Sequence, residues 1–436
     1  MISTYSFCPS DNYFRRVFLH ALKGKYLCRL VKTSPSIFSR TFILLSISTV
    51  MFMASFGMIL PELPGYLSQM GASHLIGYIV GLFTLGALVS RFFSGKIADK
   101  AGRRVVMIIG TSVTAIAGFC YVLLGYISGL EFFAIESGMI AVWVFLGLRF
   151  FHGLSTGFRP AGSSALLTDI VPVDRRGEAL GFLGVAGNAG MAGGPAIGSF
   201  LAVEWGYDAM FIASSILGIA SLLITLKLPE TLPNSRAIEW RDLNVFRGKN
   251  FEKAAWPAAI SLLPVALAFG VFLTITPNFV EGLGYKYKGL FNTIIVVASI
   301  SMRFVAGKAS DKYGRKPVLA IGGILLFLGM GILSYSTTKL AAAFGGIVYG
   351  LSIGINMPTI FAWTADLAPK GKIALAIGTT LVALEIGIGL GAFVSGSLFS
   401  SDENWLPILY RFCAFTGLLM SIVIFFNRKN PDSSIN

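Results

Sequence analysis

From Thr41 onward the chain alternates long apolar runs with short polar turns. The runs are 42–69, 75–95, 105–127, 138–166, 179–203, 208–227, 255–280, 289–306, 317–336, 341–366, 373–399 and 405–426. Each is long enough, as a helix rising about 1.5 Å per residue, to cross ~30 Å of hydrocarbon. The pattern predicts an all-α membrane protein with twelve transmembrane helices. The polar remainder divides it into an N-terminal arm (1–41), a first six-helix unit (42–227), a linker (228–254), a second six-helix unit (255–427) and a tail (428–436). The first run reads as a span and not as a signal peptide, because it is long and lacks a small-residue cleavage site.

The two units repeat each other. Phe56-Gly57, Pro64 and Gly71 recur as Phe269-Gly270, Pro277 and Gly284 at an offset of 213. Arg91, Gly95-Lys96, Asp99-Lys100 and Gly102-Arg103 recur as Arg303, Gly307-Lys308, Asp311-Lys312 and Gly314-Arg315 at 212. Gly153-Leu154-Ser155, Asp169, Pro172, Gly190 and Gly194 recur as Gly350-Leu351-Ser352, Asp366, Pro369, Gly387 and Gly391 at 197. Fixed offsets over so many positions indicate two six-helix bundles related by internal symmetry.

Composition changes the picture only by closing alternatives. Hydrophobic residues are 55% of the chain and charged ones 13%, about half the usual charged share, which excludes a soluble globular protein. The net charge of +14 would suit nucleic acid, but its placement argues otherwise. Of 35 Lys and Arg, 27 lie on the arm, linker, tail and alternate loops of one side, and three (Lys286, Lys288, Lys339) on the other. By the positive-inside rule both termini are cytoplasmic and the basic side faces an acidic inner leaflet. The arm over Tyr13–Val31 is either an amphipathic surface helix or a loose basic extension, and the linker has room for one surface helix. Cys8, Cys28, Cys120 and Cys413 have neither disulfide nor ligand spacing, so no metal or cofactor is expected.

The densest chemistry lies in the turns between spans 2 and 3 and spans 8 and 9. Gly95-Lys-Ile-Ala-Asp99-Lys100-Ala-Gly102-Arg103-Arg104 is matched by Gly307–Lys316, with Asp311, Gly314 and Arg315 in the same places. The glycines permit tight turns. Asp99 suits an arginine or a helix N-terminus, and Arg103 and Arg104 suit an acid such as Asp169, or Asp366 in the second copy.

These paired loops resemble the signature loop of the major facilitator superfamily, and the similarity covers about residues 42–427. Within that family the chain is most similar to the twelve-span drug:proton antiporters. Leu60-Pro61-Glu62-Leu63-Pro64 resembles that group's proline motif. Arg149-Phe-Phe-His152-Gly153 resembles its span-4 motif, with His152 replacing the usual glutamine. Gly190-Met-Ala-Gly-Gly194-Pro195-Ala-Ile-Gly198 resembles its span-5 signature, ending in Ser199 where a second glycine is common. The resemblance implies the major facilitator fold, alternating access about a central cavity, and a lock on the cytoplasmic side made by Asp99 and Asp311 while the cavity faces out. The glycines of span 5 are then expected to pack closely across the interface between bundles and to serve as a pivot.

Ionisable groups inside spans are costly and mark functional candidates. Glu385 sits near mid-membrane in span 11 and has Asn188 of span 5 as its repeat counterpart. It is either a proton carrier or a neutral acid bonded between helices. Glu62 is either a second proton or cation site or a group wetted by the outer vestibule. In the resembled group the arginine matching Arg149 assists proton transfer; an interhelical salt bridge is the other reading, and His152 shares its helix face. Arg91 and Arg303 are expected to snorkel inward or to pair with the motif aspartates, Arg159 to be interfacial, and Arg411 to snorkel outward or line the cavity. No acid lies deep in span 1, where carriers of lipophilic cations in this family often have one, which leaves room for neutral or anionic substrates.

The expected function is secondary active transport by a monomer in the plasma membrane of a bacterium: proton-coupled efflux of small lipophilic or amphiphilic compounds, the alternative being proton symport of a sugar or organic acid. Hydrolase, zinc-protease and nucleotide-binding motifs are missing from the sequence, so no enzymatic activity is expected.

Overall fold

A computed structural model describes residues 37–128, 137–172, 175–233, 235–236, 251–369, 372–402 and 404–426. The twelve membrane helices are α1 (Arg40–Ile59, continued by the short segment Leu63–Gln69), α2 (Ile76–Lys100), α3 (Arg103–Ser128), α4 (Ser137–Ile170), α5 (Arg176–Trp205), α6 (Tyr207–Leu226), α7 (Trp256–Gly282), α8 (Lys288–Tyr313), α9 (Arg315–Tyr335), α10 (Lys339–Leu367), α11 (Ile373–Ser401) and α12 (Trp405–Phe426). Ten are individually long and apolar enough to span a bilayer, and α8 does so as two segments meeting at 41°. In α5 the many glycines dilute the hydropathy. The arm over Tyr13–Val31, read as either a surface helix or a loose extension, the linker residues 237–250 and the tail 428–436 lie outside the described residues.

Local chemistry sets the helix ends. Ser39 caps α1 by accepting a hydrogen bond from the Phe42 amide at 3.2 Å, which satisfies one of the free donors of a helix start. Run 42–69, read as one span, breaks after Leu60, because Pro61 and Pro64 remove amide donors. The break leaves Glu62 at the start of the short segment, in the interior. Gly102 and Gly314 take φ of +127° and +88° between consecutive helices, a region that side chains resist.

The two bundles follow one packing plan. In the first, α1 packs on α5 and α6, α2 on α4, and α3 on α4 and α6; in the second, α7 packs on α11 and α12, α8 on α10, and α9 on α10 and α12. The bundles join chiefly through α2 with α11 and α5 with α8, and these two contacts are also related by the repeat. Interhelical hydroxyls support the close packing: Ser48 reaches the Ser221 carbonyl at 3.1 Å, and Ser421 reaches the Ala320 carbonyl at 2.8 Å. Large apolar side chains such as Phe151, Trp143 and Leu340 point outward, as they do where lipid replaces water. The protein is an integral, multi-pass membrane protein.

The glycines of α5 act differently from the expectation. Gly190, Gly194 and Gly198 face α1 of their own bundle: a Cβ on Gly190 would lie 2.9 Å from the Ala54 amide nitrogen, one on Gly194 2.5 Å from the Ala54 carbonyl, and one on Gly198 2.7 Å from the Met58 carbonyl carbon. Gly387 and Gly391 of α11 do the same against α7. Recurring every four residues, they form the flat stripe on which α1 rides. Contact across the bundles comes instead from the adjoining face, where the Pro195 carbonyl touches Gly289 of α8.

Candidate functional site

The bundles meet tightly at the end opposite the signature loops, here the far end. Along α2 and α11, a Cβ on Gly77 would lie 2.7 Å from the Ala392 carbonyl, one on Gly81 would strike the Phe393 ring, and one on Gly389 would lie 3.0 Å from the Thr84 hydroxyl. Tyr78 and Phe393 meet edge to face, 5.2 Å between ring centroids. Along α5 and α8, the Thr293 hydroxyl donates to the Ala192 carbonyl at 2.6 Å and the Gly289 amide to the Ser199 hydroxyl at 2.7 Å. Lys286 and Tyr287 both reach Glu204, at 2.5 and 2.8 Å.

Glu62 belongs to this far-end closure. Only 2% exposed, it accepts a hydrogen bond from Ser199 and lies 3.8 Å from the Lys288 ammonium of the other bundle. Lys288 in turn pairs with Glu281 at 2.6 Å. Glu62 is therefore not wetted by a vestibule in this conformer. Lys288 and Ser199 as its partners were not foreseen; the rarity of basic residues on that side was the available signal for Lys288.

At the lower edge of the α2–α11 contact stands Glu385, 7% exposed, which accepts from Arg91 Nε at 2.9 Å and Nη2 at 2.6 Å. Arg91 neither snorkels nor pairs with a motif aspartate, as its position four residues before Gly95 suggested. The helices bring it to an acid 294 residues away, because α2 and α11 run antiparallel and both lie ten or so residues above their loop ends here.

The repeat-related position holds no such pair. Asn188 of α5 and Arg303 of α8 line a cavity of about 290 Å³ together with Arg159, Thr49, Ser163 and Phe52. Asn188 donates to the Gly184 carbonyl at 2.8 Å. Arg159, expected at the interface, is 1% exposed; its Nη2 donates to the Ser48 hydroxyl at 2.7 Å, and its guanidinium lies over Phe52, 5.4 Å from the ring centroid. Its Nε and Nη1, and the Nε of Arg303, are buried without hydrogen-bond partners. Among the described residues, Asp311 pairs with Arg315 and not with Arg303.

Arg149 and His152 stay together but apart from Glu385. Arg149 is fully buried, donates to the Ile79 carbonyl at 3.2 Å, sits 4.6 Å over the Phe83 ring and is 3.5 Å from His152 Nδ1. His152 also meets Tyr121 at 3.3 Å. No acid faces Arg149 among the described residues, so the interhelical salt-bridge reading fails there. Arg411 donates to Ser334 at 3.0 Å and lies over Tyr335, exposed, as an outward-snorkelling residue does.

In the signature loops each aspartate binds within its own bundle. Arg103 joins Asp99 at 2.5 Å and Asp169 at 3.2 Å; Arg315 joins Asp311 at 2.5 Å and Asp366 at 2.8 Å. Asp99 and Asp311 are 73% and 69% exposed. Cβ atoms on Gly95, Gly307, Gly184 and Gly378 would meet nothing within 4 Å. The bundles are parted at this end while the far end is shut. One participant was missed: Glu230, just after α6, accepts from the Arg103 and Arg104 amides at 2.9 and 3.0 Å, and Thr231 donates to Asp169 at 2.7 Å. Arg104 reaches the Leu226 carbonyl and not Asp169. The start of the linker is thus a cap on α3, and no spacing rule joins it to a loop so distant in sequence.

The sequence model described as Major Facilitator Superfamily matches residues 45–304 and 288–436. The multi-drug resistance efflux pump PmrA of Streptococcus pneumoniae is 24% identical over 392 residues, 86% of this chain and 92% of that protein. Multidrug resistance protein 2 of Bacillus subtilis is 23% identical, covering 90% of this chain and 97% of that protein. Among solved structures, the inward open conformation of the xylose transporter XylE from E. coli superposes with a TM-score of 0.70 at 18% identity, over 92% of this chain and 98% of that one.

Proposed function

The chain belongs to the major facilitator superfamily and is a membrane transporter of small molecules, and from that premise we propose that it exports lipophilic or amphiphilic compounds in exchange for protons. The observation that carries the reading is the Arg91–Glu385 ion pair across the two bundles, at the upper edge of the opening between them. The excess of Lys and Arg around the signature loops supports a cytoplasmic location for that end, which makes this conformer inward-facing and the far end external. In this state Arg91 holds Glu385 across the bundles.

Exchange follows from the linkage of charge and closure. Protonating Glu385 removes half of the ion pair, so the proton and the α2–α11 contact cannot be held on equal terms. A difference of a few kcal/mol is enough to redistribute two conformers. When the bundles close at the loop end, Asp99 and Asp311 are free to exchange their exposed positions for contacts with the opposite bundle. The similarity to multidrug efflux proteins supports the outward direction.

Inside-out vesicles with an acidified lumen test the proposal. A pH-sensitive dye should report proton efflux on adding a transported compound, and Glu385→Gln should abolish that response while the protein remains folded. Co-accumulation of solute with protons in right-side-out vesicles, without exchange, would replace this reading by symport.

A further inference from the structure

Internal symmetry exposes an asymmetry of charge. Arg91 and Glu385 form one cross-bundle pair; the repeat maps Arg91 onto Arg303 at an offset of 212, and Asn188 onto Glu385 at 197. The α5–α8 contact therefore keeps its arginine and has an amide where the mate has a carboxylate. Arg159 adds a second guanidinium to the same cavity, with the Ser48 hydroxyl as hydrogen-bond partner and the Phe52 ring against its face, and no acid beside it among the described residues. Among the described residues, no Asp or Glu lines this cavity. Cations held in a low-dielectric site without counter-ions are strongly unfavourable unless an anion completes them.

Resting on the exporter reading, we propose that this cavity binds the anionic head of the substrate, and that the protein carries small organic acids with an apolar body. Arg159 and Arg303, one from each bundle, supply fork-shaped donors suited to a carboxylate. Asn188 orients the same head group. Phe52, Met53, Leu183 and Met191 form the apolar wall, a mixture of flexible thioethers and an aromatic face that tolerates varied ring systems. Because the two arginines belong to different bundles, binding an anion also draws the bundles together at the loop end, the movement that outward transport requires. A lipophilic cation finds only like charge there.

Equilibrium binding decides the matter without any proton gradient. Tritiated 2-naphthoate is titrated by scintillation proximity onto the full-length protein in phosphatidylcholine nanodiscs, with 2-naphthamide and a naphthyl trimethylammonium ion as competitors. Saturable binding of the carboxylate, with both competitors weaker by about tenfold or more, is the expected result. Asn188→Asp, which rebuilds the missing ion pair with Arg303, should remove binding while leaving the elution profile and melting temperature unchanged or improved; Arg303→Gln should weaken it at least tenfold. Equal binding of acid and amide, preference for the cation, no saturable binding, or an Asn188→Asp protein that binds normally would each overturn the proposal. Loss of binding in phosphatidylglycerol nanodiscs would assign the site to a lipid head group and overturn it too. Charge-selective binding without proton exchange would sink the exporter reading alone, whereas exchange driven by neutral or cationic compounds, with no carboxylate bound, would sink only this one.

Discussion

Gly77 of α2 and Gly396 of α11 touch backbone to backbone, with a Cβ on Gly77 falling 3.1 Å from the Gly396 Cα. No side chain fits between them, so the far end shuts only because both positions lack one. Gly77→Val should pry the helices apart there. Overpacking of this kind costs about 1–3 kcal/mol, a shift of roughly 5–150-fold in the ratio of closed to open conformers. A cysteine placed at Thr293 should then be labelled faster by an impermeant maleimide from the far side.

Lys288 serves two acids, Glu62 and Glu281, and only Glu62 is buried. Lys288→Met should destabilise the protein by about 3–5 kcal/mol, because it strands an interior carboxylate. Adding Glu62→Gln should recover most of that loss. Thermal melting of the two variants in detergent measures the difference; equal melting temperatures would mean that Glu62 does not depend on Lys288.

The Arg91–Glu385 pair should behave non-additively. Arg91→Leu alone leaves Glu385 uncompensated, and about 3–5 kcal/mol is the usual cost of such a loss. Arg91→Leu combined with Glu385→Leu should be closer to wild type in stability while remaining inactive in proton exchange. A double-mutant cycle on melting temperature separates the two effects.

Glu204 gives the far end a pH dependence. Hydrogen bonds from Lys286 and Tyr287 hold its pKa below the ordinary 4.5. A lowered carboxyl pKa contributes to closure above 4.5, and the contribution is lost as pH falls through the depressed value. Closure between α5 and α8 should therefore loosen at external pH below 4.5, as read by spin-label distances between those helices, and Glu204→Gln should flatten the profile.

Glu230 caps α3 through the Arg103 and Arg104 amides. Glu230→Ala should lower stability by about 0.5–2 kcal/mol, as lost helix caps do, and should speed hydrogen exchange at those two amides. A Cβ on Gly102 would collide with the Glu230 carboxylate, so Gly102→Ala should reproduce much of the effect.

The membrane helices, their duplication and the loops that mark one end are legible in the sequence alone. Those features follow from local rules: the length of an apolar run, the offset of a repeat, and the glycines and charges that fit a tight turn. It also named Glu385, Asn188 and Glu62, because a charge or its repeat-mate inside an apolar run stands out. Partners were a different matter. Arg91 finds Glu385, Lys288 finds Glu62 and Glu230 finds α3 across distances that no spacing encodes. Helix rotation decided which way each residue faces: it turned the α5 glycines toward α1 and sent Arg159, expected at the membrane interface, into the cavity beside Arg303. A one-residue turn of 100° moves a side chain from lipid to cavity, and that rotation is fixed by how all twelve helices pack together. Tertiary packing therefore chose which charges are paired and which are not.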